Sequence, residues 1–347
     1  MNSYSSQNPP SPAPVLDLIE AFRRSKAMFT AVRLGVFDEL ARKPQSASEL
    51  AAALNVNAAA LPRLLDGCIA LGLLQREDGA YQNAPVAARY LAQNTPDSLA
   101  NYIVYSDQSL YPLWAHLDDA VREGANRWTQ AFGSRDALFD HYFRDEAATA
   151  AFLGGMHGFG QLASPLIVRA FDLSRFQHLV DLGGATGHLA IAACEAYPGL
   201  RATVLDLPRV ERFACEHIAR SRVADRVEAM AGDFFTDDLM GGDLYYLGRI
   251  LHDWSEDKIT KLLARIYAAL PLGGALLIGE TLVNDHRSGS VYTLMQDLNM
   301  LVCTDGKERT FAEYRALLEA AGFASIDFRR TGSLIDAILA VKHPSAT

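Results

Sequence analysis

Hydrophobic residues in the first hundred positions recur at helical spacing and are interrupted by short polar breaks. Residues 16–40 and 61–71 both carry apolar side chains at the period of a helix. Between them, Ser46 and Glu49 precede an Ala/Leu run, which is a signal for a helix N-terminus. Residues 73–81 contain an Asp-Gly pair between two short runs, which predicts a β-hairpin. Helix, turn, helix and hairpin together predict a winged-helix-like module.

This module has two interpretations, DNA binding and dimerisation. The candidate recognition helix over residues 61–68 contains Arg63 and no other cationic residue. Because DNA affinity depends largely on cationic contacts with phosphates, so few positive charges argue against a DNA-binding surface. The sequence therefore favours a helical module used for dimerisation.

The hydrophobic period changes in the second half of the chain. Residues 85–170 are still predicted to be mostly helical and are rich in aromatic side chains. From residue 176 onward, short apolar runs alternate with helical stretches such as 255–270, and this alternation implies a parallel sheet with helices on both faces. The predicted strands are residues 178–182, 201–206, 243–247, 274–280 and 334–341, with a possible further strand before residue 232.

These patterns predict an α/β protein, in which a Rossmann-like domain with a mostly parallel sheet follows an N-terminal α-helical, winged-helix-like domain. Residues 1–14 are rich in Ser, Pro, Asn and Gln and are predicted to form a flexible tail. The expected divisions are 15–110 for the dimerisation domain, 111–170 for a helical linker that contributes to a substrate pocket, and 171–347 for the Rossmann-like domain.

Composition and charge narrow the class of partner. Half of the residues are hydrophobic and 21% are charged, as in soluble globular proteins. A net charge of -9 argues against a nucleic-acid partner and against an anionic membrane surface. No apolar run reaches the roughly 18 residues of a membrane helix. The four cysteines form no CxxC pair, so we expect no metal site and no disulfide framework, but reduced thiols in a cytoplasmic protein.

The strongest local signal is the glycine-rich segment 180–187 (VDLGGATG), which follows a predicted strand and opens a helix. Glycines let a ligand approach the backbone, and a helix N-terminus presents unpaired N–H groups. The segment lacks the G-x-G-x-x-G spacing of dinucleotide sites and is not a phosphate loop. Asp181, at the end of the strand, suits the amino group of a ligand better than a pyrophosphate.

Two further acidic residues follow in an order that suits a nucleoside. Asp206 ends the next predicted strand, where a carboxylate can accept from both ribose hydroxyls; the alternative is an ordinary turn aspartate. Further on, Gly232 precedes Asp233 and Phe234. The carboxylate of Asp233 could accept from the adenine amino group, and the ring of Phe234 could stack on the base. Together these signals predict a nucleoside ligand that carries an amino group, as S-adenosylmethionine (SAM) does.

A candidate catalytic histidine lies in residues 249–254 (RILHDW), directly after the strand at 243–247. The carboxyl ends of such strands are where ligands bind. His252 taken alone is more often structural, but Glu280 ends the next strand and Glu308 lies in a polar segment further on. A carboxylate beside an imidazole fixes its tautomer and raises its basicity, so these two residues favour the catalytic interpretation.

Residues from about 15 to 342 resemble the dimeric, plant-type small-molecule O-methyltransferases, a family that includes acetylserotonin O-methyltransferase and bacterial natural-product O-methyltransferases. Besides the glycine segment, residues 232–235 (GDFF), 251–254 (LHDW) and 306–310 (GKERT) stand in the family's order and spacing. Residues 298–302 and 336–340 are similar to the acetylserotonin branch in particular. The resemblance implies a SAM cofactor, no metal, a homodimer, and methyl transfer to a hydroxyl of a small aromatic molecule.

The expected site residues fall into three groups. The resemblance implies that His252 is the general base and that Glu280 and Glu308 orient it. The expected SAM contacts are Asp181, Gly183, Asp206, Gly232, Asp233, Phe234 and Arg249. The expected acceptor contacts are Met156, Asp253, Asn299, Met300 and Cys303, with the two methionines clamping the acceptor ring.

The sequence also departs from the acetylserotonin branch. Ala185 replaces a glycine of the turn, Phe143 replaces a tyrosine, Gly160 replaces a tryptophan and Cys303 replaces a glutamine. These differences predict a reshaped acceptor pocket. Other functions stay open: N- or C-methylation, a non-methylating reaction on the same scaffold, and, from another class, a winged-helix regulator with a ligand domain.

Overall fold

The computed structural model describes residues 10–133 and 138–343, which form two compact units, one up to Asp107 and one from Gln108 onward. Most of the predicted tail, residues 1–9, lies outside the described residues, and the first helix begins at Ala13, inside the segment predicted as tail. The elements of the first unit are α1 (Ala13–Arg33), α2 (Val36–Arg42), α3 (Ala47–Leu54), α4 (Leu61–Ala70), β1 (Leu74–Glu77), β2 (Ala80–Asn83), α5 (Pro85–Tyr90) and α6 (Ala100–Tyr105).

Local sequence signals account for the turns of this unit. The helix predicted over residues 16–40 is two helices, α1 and α2, because Gly35 between them adopts a φ of 78°. Ser46 and Glu49 form a capping box at the start of α3, in which the Ser46 backbone N–H donates to Glu49 Oε2 over 2.8 Å. The Asp-Gly pair between β1 and β2 has positive φ at both residues and closes the predicted hairpin.

Helix α1 has two different ends. Near its C-terminus Ala31 and Val32 are buried, and the buried carboxylate of Asp107 pairs with Lys26 and Arg33. Its N-terminal half instead exposes large apolar side chains, each more than half accessible to solvent: Val15, Leu16, Leu18, Ile19 and Phe22. An apolar surface of this kind is typical of a protein–protein interface.

The second unit begins with helices and continues as an α/β sheet. Within residues 10–133 and 138–343, no helix combines the length and apolar character needed to cross a lipid bilayer. The helices are α7 (Tyr111–Trp114), α8 (Leu117–Glu123), α9 (Trp128–Phe132), α10 (Leu138–Tyr142), α11 (Glu146–Ala170), α12 (His188–Ala196), α13 (Pro208–Ala219), α14 (Glu256–Ala269), α15 (Val291–Cys303) and α16 (Phe311–Ala320). The strands are β3 (His178–Leu182), β4 (Arg201–Asp206), β5 (Val227–Ala231), β6 (Leu244–Gly248), β7 (Ala275–Glu280), β8 (Ser325–Arg329) and β9 (Asp336–Val341).

The seven-stranded sheet has the order β5-β4-β3-β6-β7-β9-β8. The first five strands of this order run parallel to one another, and β9 is antiparallel to both β7 and β8. The mostly parallel α/β fold predicted from the sequence is confirmed. The chain order reverses at β3, which pairs with β4 on one side and β6 on the other. In such sheets ligands bind outside the carboxyl ends of the strands at this switch point.

Candidate active site

The predicted base, His252, lies in a short 3-10 turn (Leu251–Asp253) just beyond the end of β6. Its imidazole Nδ1 is 2.8 Å from Glu308 Oε1 and 3.4 Å from Glu280 Oε2, and the side chain is 4% exposed. A carboxylate at 2.8 Å makes Nδ1 the protonated nitrogen of the neutral ring, so Nε2 carries the lone pair. The side chains of His252, Glu280 and Glu308 are close enough together to hold a metal ion. Here, however, Nδ1 of His252 donates a hydrogen bond to Glu308.

Glu280 contacts the backbone of this turn as well as the imidazole of His252. Its Oε1 accepts from the backbone N–H groups of Ile250 at 3.1 Å, Leu251 at 2.8 Å and His252 at 3.4 Å. The end of β6 is further fixed by the Arg249 N–H, which donates to the carbonyl oxygen of the neighbouring strand β7 at Gly279 over 2.8 Å. The turn that carries the imidazole is therefore held by a carboxylate from the adjacent strand.

Residues that the sequence analysis did not single out complete this scaffold. The Arg309 guanidinium is buried and donates to the carbonyl oxygens of Leu251 (3.1 Å) and Trp254 (3.2 Å). At Gly306 a Cβ atom would lie 2.1 Å from the carbonyl oxygen of His252, so only glycine fits there. Both belong to residues 306–310 beside Glu308, and their place in that motif is the signal that could have identified them.

The charges around His252 act in opposite directions. Burial lowers the pKa of the imidazole, but Glu280, Glu308 and Asp253 outweigh it and raise the pKa to about 10. Burial raises the pKa of Glu280 to about 7 and that of Asp253 to about 6, although His252 opposes both shifts. The cluster therefore holds a proton at neutral pH, and the neutral imidazole becomes more populated as the pH rises.

The glycine turn after β3 adopts the conformation that its sequence predicts. Gly183, Ala185 and Gly187 have φ values of 71°, 52° and 74°, and the Ala185 N–H donates to Asp206 Oδ2 over 2.8 Å. Asp206 Oδ1 also accepts from the Leu207 N–H over 2.7 Å. The carboxylate predicted to bind ribose is thus anchored by two backbone groups, and each oxygen keeps a second lone pair for a ligand.

The carboxylate of Asp181 is buried, and its Oδ2 has no hydrogen-bond partner. Burial and the neighbouring Asp206 raise its pKa to about 7, and burial raises the pKa of Asp206 to about 6. Two acids with raised pKa values beside the glycine turn form a site that favours a positively charged ligand group. An unpaired buried carboxylate oxygen at the strand end is what an amino group of a ligand requires.

Residues 232–235 lie at the same edge of the sheet. An added Cβ at Gly183 would lie 3.3 Å from the Phe234 ring and 2.7 Å from Ile250 Cδ1, so these side chains close over the turn. Asp233 Oδ1 accepts from the Phe235 N–H over 2.8 Å, and the Asp233 N–H donates to Asp237 over 2.9 Å. The structure thus brings Phe234 to the glycine turn, while Asp233 makes hydrogen bonds within its own loop.

The predicted acceptor residues lie on two helices and on the turn. On α11, Met156 Sδ is 3.4 Å from the Arg249 guanidinium. On α15, Asn299 Oδ1 accepts from Trp114 Nε1 over 2.8 Å and from Cys303 Sγ over 3.5 Å, and Met300 is buried one position further. Burial and, to a lesser extent, the carboxylate of Asp253 raise the pKa of the Cys303 thiol, which places this stripe of α15 close to the turn of His252.

A mostly parallel sheet whose switch point carries this glycine turn, a strand-end carboxylate and a histidine–carboxylate cluster is typical of SAM-dependent methyltransferases. Residues 114–324 match the model of the O-methyltransferase domain, and residues 16–93 match that of the O-methyltransferase dimerisation domain. The chain belongs to this O-methyltransferase family.

Individual relatives agree with this assignment. Acetylserotonin O-methyltransferase of Gallus gallus is 41% identical over 338 residues, which cover 95% of this chain and 97% of that protein. A human protein described as a probable bifunctional dTTP/UTP pyrophosphatase/methyltransferase is 40% identical over 337 residues, 96% of this chain but 54% of that protein, so the chain spans about half of its length. The crystal structure of human N-acetylserotonin methyltransferase in complex with SAM superposes with a TM-score of 0.92 at 37% identity, and covers 99% of this chain and 100% of that one.

These comparisons confirm several predictions made from the sequence. The family, the SAM cofactor and the enzyme class are as predicted, and the first unit contains a dimerisation domain. The roles of individual site residues, the acceptor and the partner of the dimerisation domain stay predictions.

Proposed function

We propose that this SAM-dependent O-methyltransferase methylates a hydroxyl of a small aromatic molecule and that His252 is the general base. The observation that carries the proposal is the 2.8 Å hydrogen bond between His252 Nδ1 and Glu308, because it leaves Nε2 as the basic nitrogen. Asp253 Oδ1 lies 3.6 Å from Nε2 and adds negative charge beside it. Bound SAM supplies a methyl group on a positively charged sulfur, so the chain itself has to position the acceptor and remove its proton.

The raised basicity of His252 suits a phenolic acceptor. An ordinary imidazole with a pKa near 6.5 is about 5 kcal/mol too weak to take a proton completely from a phenol with a pKa near 10. With the pKa of His252 raised to about 10, this difference nearly disappears for the neutral imidazole, whose population grows as the pH rises. Glu280 and Glu308 stabilise the imidazolium that forms, and removal of the proton can accompany attack by the oxygen. Positioning of the acceptor supplies the larger part of the rate.

The residues at the switch point fit SAM. The unpartnered Oδ2 of Asp181 accepts the ammonium group of the methionine portion, and Arg249 interacts with its carboxylate. Asp206 accepts from the ribose hydroxyls, Asp233 accepts from the adenine amino group, and Phe234 stacks on the base. Gly183 and Gly232 leave room for the backbone to approach the cofactor.

The acceptor pocket is built from Met156, Asp253, Asn299, Met300 and Cys303. Aromatic side chains support a flat acceptor beside them: the rings of Phe139 and Trp254 are 5.5 Å apart, and those of Phe143 and Phe152 are 5.8 Å apart. At Gly160 an added Cβ would lie 2.3 Å from His188 Nε2, so the imidazole occupies the space that a side chain at 160 would need. The pocket therefore differs from that of the acetylserotonin branch, and we propose an acceptor other than acetylserotonin.

We also propose that the protein is a homodimer in which the exposed apolar half of α1 contacts the second copy. The large apolar side chains of this half, such as Leu18 at 73% exposure, lie in or beside the matched dimerisation domain. Their burial against a partner would remove them from water, which is the main driving force for association.

The acceptor class is tested by a screen of phenolic, indolic and phenazine-like compounds, with their amine analogues, incubated with the protein and methyl-labelled SAM. Mass spectrometry should find label on an oxygen of at least one hydroxylated aromatic compound and none on the matched amine. Label on nitrogen or carbon alone would reject O-methylation of such a molecule, and with it the role of His252 in removing a hydroxyl proton.

A further inference from the structure

Tyr246 on β6 carries a hydroxyl group that the proposed reaction does not use. The side chain is 3% exposed, and its ring extends along the sheet toward the carboxyl end of the strand. A Cβ added at Gly248 would lie 2.3 Å from the hydroxyl oxygen, and one added at Gly279 on the neighbouring strand would lie 2.4 Å from it. Two glycines at register-paired positions thus make room for one phenol at the edge of the sheet where the ligand binds.

The groups that act on the pKa of this hydroxyl are the charges of Asp181, Glu280 and Arg249, with no hydrogen bond among them. Burial, followed by the charges of Asp181 and Glu280, raises the pKa of Tyr246 well above its usual value. The phenol therefore stays protonated and can donate. A phenol held at this edge of the sheet is available to a ligand group that accepts from it.

The neighbouring strand presents the complementary group. Tyr246 pairs in register with Asp181 on β3, and parallel strands place the side chains of paired residues on the same face. Asp181 is an acceptor with an unpartnered oxygen, and the phenol of Tyr246 is a donor on the same face. Both groups therefore face the same side of the sheet near its switch point, where one small zwitterion can contact both.

We propose that the Tyr246 hydroxyl donates a hydrogen bond to the α-carboxylate of the methionine portion of SAM, opposite the ammonium group at Asp181. Arg249, three residues further along the chain, contributes to the field at Tyr246 and supplies positive charge for the same carboxylate. Tyr246 is thus a further cofactor-binding residue. The inference rests on the proposed cofactor site but not on the acceptor or on the base.

The test compares two ligands by calorimetric titration: SAM, and decarboxylated SAM, which keeps the ammonium and sulfonium groups but lacks the carboxylate. We expect Tyr246→Phe to reduce the preference for SAM over decarboxylated SAM by roughly tenfold or more, since a hydrogen bond to a charged group is lost. Tyr245→Phe is the matched control, because Tyr245 lies on the opposite face of the same strand and its hydroxyl bonds to the carbonyl oxygen of Met240. This control should keep the wild-type preference.

Thermal unfolding shows whether each variant is folded, and neither titration depends on methyl transfer. Unchanged affinities for both ligands in Tyr246→Phe would overturn the proposal. An equal loss for both ligands would also overturn it, because the hydroxyl would then serve packing or the ammonium group rather than the carboxylate. Failure of the acceptor screen together with a reduced SAM preference would reject the proposed reaction while supporting this inference.

Discussion

At the scale of single residues, the chemistry of His252 depends on neighbours that are distant in sequence. Glu280 and Glu308 lie 28 and 56 positions away and both reach Nδ1 of the same imidazole. The sequence predicts a role for both acids beside the histidine. It does not give the balance between burial, which lowers the pKa of His252, and the carboxylates, which raise it, because that balance depends on distances. The same holds for Arg309, whose contacts with the carbonyls of the turn follow from no periodicity in the chain.

The pH dependence of turnover should report these charges. A base is active when it is unprotonated, and the three nearby carboxylates raise the pKa of His252 to about 10. We therefore expect kcat to rise with pH through the neutral range and beyond the pH of about 6.5 at which an ordinary histidine loses its proton. Glu308→Gln keeps an acceptor for Nδ1 but removes a charge, so it should lower the pKa of His252 and shift the rising limb to lower pH.

The control for this prediction is Glu319→Gln, which removes an exposed carboxylate on α16. Its profile of kcat against pH should coincide with that of the wild type. A Glu308→Gln profile that also coincides with the wild type would mean that the rising limb belongs to another group.

At the scale of elements, the glycine turn between β3 and α12 contains a local conflict. Ala185 adopts a φ of 52°, a left-handed conformation that costs a residue with a Cβ about 1 kcal/mol. Its N–H holds Asp206, so the turn gains a hydrogen bond while Ala185 is strained. Ala185 departs from the glycine that its family has in this turn, and its positive φ gives that departure an energetic consequence.

Ala185→Gly should relieve this strain and raise the free energy of unfolding by up to about 1 kcal/mol. The greater conformational entropy of glycine in the unfolded chain offsets part of this gain. Urea unfolding measures the change. Asn55→Gly is the matched control, because Asn55 has the same φ of 52° but asparagine tolerates it better, so its gain should be smaller. A destabilised Ala185→Gly variant would show that contacts of the Ala185 methyl outweigh its backbone strain.

The elements most faithfully predicted were those with strong patterns. The predicted strands of the seven-stranded sheet lie within two residues of their expected bounds. Buried parallel strands are easy to predict because they form apolar runs between turns. Strand β8 was missed because Ser325–Arg329 lies at the edge of the sheet and alternates exposed with half-buried residues. The break at Gly35 was missed because the apolar period continues across it.

At the scale of the whole molecule, the proposed homodimer depends on the apolar half of α1. Exposure of large apolar residues to water is unfavourable, yet α1 exposes five of them: Val15, Leu16, Leu18, Ile19 and Phe22. A second copy that covers them accounts for this pattern. The sequence could suggest the dimer through its resemblance, but the exposure of these side chains required the fold.

Leu18→Glu should therefore convert the protein from dimer to monomer at micromolar concentration, because a charge buried in an apolar interface without a partner is strongly unfavourable. Light scattering coupled to size-exclusion chromatography measures the mass. Leu272→Glu changes another strongly exposed leucine, 65% accessible, in the second unit and should leave the mass unchanged. A Leu18→Glu protein that keeps the mass of two chains would place the interface elsewhere.

The most direct test of the account is the turnover of His252→Gln with an acceptor identified in the screen, measured beside its calorimetric affinity for SAM. We predict that turnover falls by about a hundredfold or more while the affinity for SAM stays at the wild-type value, because the base is lost and the cofactor site is kept. Near-normal turnover in this variant would contradict the assignment of His252 as the base.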